Sequence, residues 1–243
     1  MVIAPYSRNY QFNYCRGQDF MKTTQFIIAT AFSLLLSTEA FSKTTKEVWL
    51  KFSGSNHCET GFCADGIPSV ILEEALKFYK KNQQIIQNDN FIAMADMSQN
   101  SVKKRFHILN LHDGSVESMH VSHGVNSETS NGHPTKFSNK VNSLRTALGF
   151  YVTEVETFDG KNGESLRLYG LSKTNDKAYE RGIIIHPAHY VSEEYIKENG
   201  KLGASEGCPA VSYANIESVL AKLKGKALLY IYSNVPSLKW WND

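Results

Sequence analysis

Cysteine is scarce in this chain, four residues in 243, too few for the dense disulfide framework of a small secreted scaffold. Proline is scarce as well, at six, and there is no internal repeat or low-complexity tract. An excess of either charge is also missing. With 26 Lys and Arg against 24 Asp and Glu, the net charge is +2 and no basic stripe forms, which argues against nucleic acid as a partner. The longest apolar stretch, Phe26 to Leu36, is too short to span a bilayer. What is present, 42% hydrophobic and 21% charged residues, is the composition of an ordinary globular protein able to bury a sizeable core.

That apolar stretch has a leader's architecture. Met21-Lys22 supplies a basic start, Phe26 to Leu36 the hydrophobic region, and Ala40 and Ser42 the small residues of a cleavage site; together they predict a signal peptide cut after Ser42. The polar run Lys43-Thr44-Thr45-Lys46-Glu47 offers no continuation of a span, so no transmembrane segment is expected after cleavage. The predicted organisation is residues 1–42 removed, 43–88 an N-terminal helical segment, 89–233 the main domain and 234–243 a tail.

Export leaves Cys58, Cys63 and Cys208 in the mature chain, an odd number. Cys58-Glu59-Thr60-Gly61-Phe62-Cys63 can close a small disulfide loop in an oxidising compartment, with Gly61 allowing the tight turn. The same spacing fits half a zinc site, but no second Cys pair completes it. The disulfide is therefore the expectation, and Cys208 is left as a free thiol.

Periodicity gives the elements. Pro68 opens a helix with Val70, Ile71, Ala75, Phe78 and Tyr79 at helical spacing. Strands are expected at 91–94, at 104–111 and, after the Asp113-Gly114 turn, through Val116, Met119 and Val121. Ser122 to Asn142 reads as a long loop. A hairpin follows, Phe150 to Val155 and Ser165 to Tyr169, then a buried strand at 182–185. Ser192 caps a helix that Gly200 ends, Ser212 caps another with Ile216, Val219, Leu220 and Leu223 on one face, and Ala227 to Ser233 is the last strand. The expected fold class is α+β, strand-dominated, antiparallel hairpins and mixed sheets with a few peripheral helices.

The chemistry concentrates in Gly203-Ala204-Ser205-Glu206-Gly207-Cys208-Pro209-Ala210. A cysteine in a Gly-bounded turn ahead of an amphipathic helix has close backbone approach, N–H donors and a helix dipole nearby. A thiol is mostly protonated at neutral pH, its free pKa being about 8.5, so fast attack needs a base. His186, directly after the apolar strand Ile183-Ile184-Ile185, is the candidate; His189 is the alternative base. Against this stands the plain reading, in which Cys208 is a small buried hydrophobe and His186 a satisfied core or rim residue.

Ordered blocks along residues 89 to 233 weigh against the plain reading. Val121-Ser122-His123-Gly124, Leu148-Gly149-Phe150-Tyr151, Asn175-Asp176-Lys177-Ala178, Arg181-Gly182-Ile183-Ile184-Ile185-His186 and Ser205-Glu206-Gly207-Cys208-Pro209-Ala210-Val211 resemble, in order, the murein L,D-transpeptidase catalytic domain family. The resemblance implies a sheet-rich transpeptidase fold, a periplasmic or wall-facing location, peptidoglycan stem peptides as substrate, Cys208 as nucleophile and His186 as base. Three positions depart from the wider pattern: Glu206 where His is usual, Pro187 where Gly follows the base, and Ala204 where Arg is common, which removes an Arg fork for a substrate carboxylate.

On that resemblance the expected chemistry is an acyl-enzyme on Cys208, with the Gly207 and Cys208 N–H groups as oxyanion donors, and with transfer to an amine or to water. Ser205 is expected to orient the imidazole, line the pocket or simply form the turn; His123, Gly124 and Glu206 are expected at the donor groove. No metal or organic cofactor is required. Alternatives from other classes are a catalytically impaired wall-binding module, an L,D-carboxypeptidase, and a zinc protein using His186 and His189 with His120, His123 or His133; Pro187 disfavours the helix that would suit the last.

Overall fold

The computed structural model describes residues 62–63 and 66–235, all within the compact unit Thr44–Asp243. The leader, Cys58, the side chain of Cys63 and the 236–243 tail lie outside the described residues. The elements in chain order are β1 (Phe62–Cys63), β2 (Ile67–Pro68), α1 (Ser69–Lys81), β3 (Phe91–Asp96), β4 (Phe106–Asn110), β5 (Val116–Met119), β6 (Glu128–Ser130), β7 (His133–Pro134), β8 (Gly149–Thr153), β9 (Phe158–Gly160), β10 (Gly163–Gly170), β11 (Ile184–Pro187), α2 (Glu193–Asn199), β12 (Ala210–Val211), α3 (Ile216–Leu223) and β13 (Leu228–Tyr232).

A nine-stranded mixed sheet organises them, in the order β12-β11-β10-β8-β13-β3-β4-β5, with β9 added on β10. Only β13–β3 and β11–β12 run parallel within it. Alternation along the strands sends side chains to two cores. Ile92, Met94, Leu109, Phe150, Leu228 and Tyr230 face α1, which meets them with Ile71, Leu72, Ala75, Leu76 and Tyr79. Ala93, Ala95, Phe106, Ile108, Leu229 and Ile231 point the other way, onto Val219, Leu220 and Leu223 of α3. Each fully buried Leu or Ile stabilises by roughly 1.5–3 kcal/mol, so this two-faced burial anchors the sheet from which the site is built.

The expected α+β class holds, with several local differences. Val70 is exposed, because the buried stripe of α1 runs one residue later than its first apolar residue. The 122–142 stretch contains a 3-10 turn at Val125–Ser127 and the short β6–β7 hairpin. Ser192 does cap α2, its Oγ accepting the Tyr195 N–H at 3.1 Å, and Gly200 ends it in the left-handed region. Ser212 does not cap α3: that helix starts at Ile216 after Asn215, and Ser212 serves it through its backbone carbonyl, which accepts from Asn215 and Ile216.

Candidate active site

β11 and β12 pair side by side, which sets His186 and the turn that carries Cys208 on neighbouring strands. The apolar run Ile183-Ile184-Ile185 is drawn into the main core, where Ile183 and Ile185 are buried, and this fixes β11 with His186 near its end. On the parallel partner His186 lies opposite Ala210 and Pro187 opposite Val211. Cys208 is therefore two residues before the point of contact, in the turn that feeds β12.

That turn is held by Ser205. Its hydroxyl donates to the Cys208 carbonyl at 2.6 Å and accepts the Gly207 N–H at 3.1 Å. Its own backbone is stitched to the neighbouring segment, Ser205 N–H to His123 O at 2.9 Å and Val125 N–H to Ser205 O at 2.8 Å. With its proton on the Cys208 carbonyl, Ser205 forms the turn and does not orient the imidazole. Gly207 is required twice over. Its φ of +122 suits glycine, and a Cβ there would sit 2.8 Å from the Arg145 carbonyl and 2.9 Å from Arg181 Nη2.

Cys208 is a free thiol, partly buried, its Sγ–H directed at Gly182 O at 3.8 Å. Burial pushes this thiol up from its ordinary range; an N–H bond from Ile184 and the charge of Arg181 oppose the shift, and the Glu206 carboxylate adds to it. At rest the group is a thiol, so attack needs a proton acceptor.

His186 is buried, and its Nδ1 lies 3.0 Å from the Pro187 carbonyl and 3.3 Å from the Asn162 side-chain amide. A carbonyl only accepts, so Nδ1 carries the proton and Nε2 is the basic nitrogen; Asn162 Nδ2 lies against the same Nδ1 at 3.3 Å. Pro187 O is thus the group that orients the imidazole, a role any residue's carbonyl can fill and one that leaves no mark in a sequence. Nor is there a mark for Asn162, which arrives from the β9–β10 turn and whose carbonyl also receives Tyr213 Oη at 3.3 Å.

Glu206 is exposed at the turn's crest. His189 is exposed, its ring edge-on to Tyr190 and Tyr195, and His120 is bonded to Glu193 at 3.0 Å. Tyr190 packs its ring on Gly203, where a Cβ would come within 2.5 Å, and burial with the nearby Cys208 pushes its phenol up to about 12.

His123 and Gly124 lie behind the turn. His123 is fully buried; its Nδ1 accepts from Arg105 Nη2 at 2.8 Å and its Nε2–H donates to Glu128 at 3.3 Å, while Glu128 is also paired with Lys201. Burial, helped by the Arg105 charge, holds the imidazole neutral with its pKa lowered to about 4. Gly124 is bridged to Ser205, and a Cβ on it would lie 2.5 Å from Leu144 O. Both therefore act on the cysteine turn through its backbone.

Among the described residues no group of three or more His, Cys, Asp or Glu side chains is placed to hold a metal, and no helix is long and apolar enough to cross a membrane.

A family model for the L,D-transpeptidase catalytic domain matches residues 64–232, and the chain belongs to that family. Similar solved structures include an L,D-transpeptidase (residues 123–326) from Xylanimonas cellulosilytica, 15% identical over 59% of this chain and 60% of that one with a TM-score of 0.33. Another, from Mycobacterium smegmatis, is 14% identical over 59% and 58%, TM-score 0.33. A third, from Stackebrandtia nassauensis, is 13% identical over 69% and 67%, TM-score 0.36. The chain thus spans about 60% of the length of the first two. No curated protein matches the sequence.

Proposed function

We propose that the protein is an exported cysteine transpeptidase acting on peptidoglycan stem tetrapeptides at the bond between the third, L-centred residue and the terminal D-residue. The observation that supports this reading is the β11–β12 register, which sets His186 opposite Ala210, two residues beyond Cys208 in the chain. The family match over residues 64–232 supplies the substrate class.

In the proposed reaction His186 Nε2 takes the Cys208 proton as Sγ bonds to the scissile carbonyl carbon. The Cys208 N–H is the oxyanion donor, since the Gly207 N–H already serves Ser205. The C–N bond then breaks, the leaving amine takes the proton from Nε2, and a thioester remains on Cys208. An incoming amine attacks that thioester, gives its proton to Nε2 and expels the Cys208 thiolate, which Nε2 reprotonates, forming a 3-3 cross-link; water in the same place yields the trimmed tripeptide. His123, Gly124 and Ser205 act by holding the turn, and Glu206 at its crest faces the arriving substrate.

Purified mature protein incubated with a tetrapeptide muropeptide tests this by product mass. Cross-linked dimer, or tripeptide with free D-residue, is expected from the wild-type chain and neither from Cys208→Ala. Unchanged muropeptide with the wild-type chain would favour a wall-binding module instead.

A further inference from the structure

Arg181 is the unexplained charge at this site. Its guanidinium is partly buried yet clamped on neutral groups: Nη1 donates to Ser138 O at 2.9 Å and Nη2 to Arg145 O. None of the ion pairs among the described residues includes it. Burial lowers its pKa, so the cation is held at a cost that no carboxylate offsets. An uncompensated charge in such a place is a candidate for a part in the chemistry.

Its position is the second observation. Arg181 Nη2 lies against the bare α-carbon of Gly207, within 2.9 Å of where a Cβ would be. The next residue of the chain, Gly182, offers the carbonyl that faces Cys208 Sγ. Residues 181 and 182 therefore enclose the cysteine turn, one with a cation and the other with an acceptor.

We infer that Arg181 is a charge-supplying positioning residue: the guanidinium fixed against Gly207 stabilises the anion that develops on Cys208. This role rests on the reading of Cys208 given above. The charged and titratable groups facing the sulfur are Arg181, Glu206, Tyr151 and Tyr190, with His186 on the adjoining strand. Of these only Arg181 is a permanent cation.

The test is the pH profile of iodoacetamide alkylation at Cys208, followed by peptide mapping on the full chain. Arg181→Gln keeps a donor for one carbonyl and removes the charge; it should move the alkylation midpoint up by about one unit, a rate about tenfold lower below the midpoint. Arg181→Lys should restore the rate to within about threefold. A midpoint unmoved in folded Arg181→Gln overturns the inference. If that variant does not fold, the salt dependence of Glu206→Gln decides: with Arg181 the remaining fixed charge, added salt should raise the midpoint, and a flat response overturns the inference. Muropeptide turnover that survives Cys208→Ala would defeat the nucleophile reading itself; turnover lost in Cys208→Ala with an unmoved Arg181→Gln midpoint would defeat the Arg181 role alone.

Discussion

Replacing Ser205 by Ala separates a turn-holding hydroxyl from one that touches the imidazole. The hydroxyl makes two bonds, 2.6 Å to the Cys208 carbonyl and 3.1 Å from the Gly207 N–H. Gly207 is buried, so its N–H loses its only partner in the turn, while Cys208 is partly open to water. An orphaned buried group costs about 1–3 kcal/mol; with water replacing part of the carbonyl bond, the sum is about 2–3 kcal/mol. For a domain of this size each kcal/mol lowers the melting temperature by about 2–4 °C, giving a fall of about 4–12 °C. Turn relaxation by about 1 Å would cost on the order of 10² in turnover, with the alkylation midpoint of Cys208 displaced as well. Thermal melts, turnover and iodoacetamide rates measure the three effects. A variant that melts within about 1 °C of wild type and turns over normally would refute the account of the turn.

Further outcomes are expected elsewhere. His123 is neutral in the fold with a pKa lowered to about 4, so its contribution is fully present above the unfolded value near 6.5 and is lost as pH falls from there toward 4. The unfolding free energy from denaturant melts should drop through that window by up to about 3 kcal/mol, and His123→Gln should flatten the drop; an equally steep fall in the variant would show that another group is responsible. Glycine at 207 is set by φ +122 and by its contacts at 2.8 and 2.9 Å, so Gly207→Ala should cost on the order of 1–3 kcal/mol in stability and most of the activity. For the exported chain, intact mass should begin at Lys43, and thiol counting with peptide mapping should find Cys58 and Cys63 bridged and Cys208 free; labelling of Cys58 without reductant would contradict this.

The parts legible in the sequence are those that local chemistry dictates. Pro68 and the apolar spacing to Tyr79 mark α1, Asp113-Gly114 marks the β4–β5 turn, and Ser192 with Gly200 brackets α2 because capping needs only neighbours. Cys208 and His186 stand out through a Gly-bounded turn and a strand end. The rest depends on long-range encounters. Arg181 meets Gly207 and Arg145 only after the sheet has formed, Asn162 reaches His186 from a separate hairpin, and Arg105 finds His123 across strands. The carbonyl of Pro187 carries no side-chain signature at all. The Ser, Asn, Gly and His content of 122–142 marks a loop; the β6–β7 pairing within it comes from a register that composition does not encode.

The central claim is most directly tested by the mass of the enzyme trapped during acylation. Wild-type protein held with an activated amide of the tetrapeptide donor should gain one acyl group, mapped to Cys208. Cys208→Ala should gain none, and His186→Ala, still folded, should acylate slower by a factor on the order of 10² or more. If the adduct maps to another residue, or if His189→Ala is the crippled variant while His186→Ala is nearly normal, the assignment of nucleophile or base is contradicted.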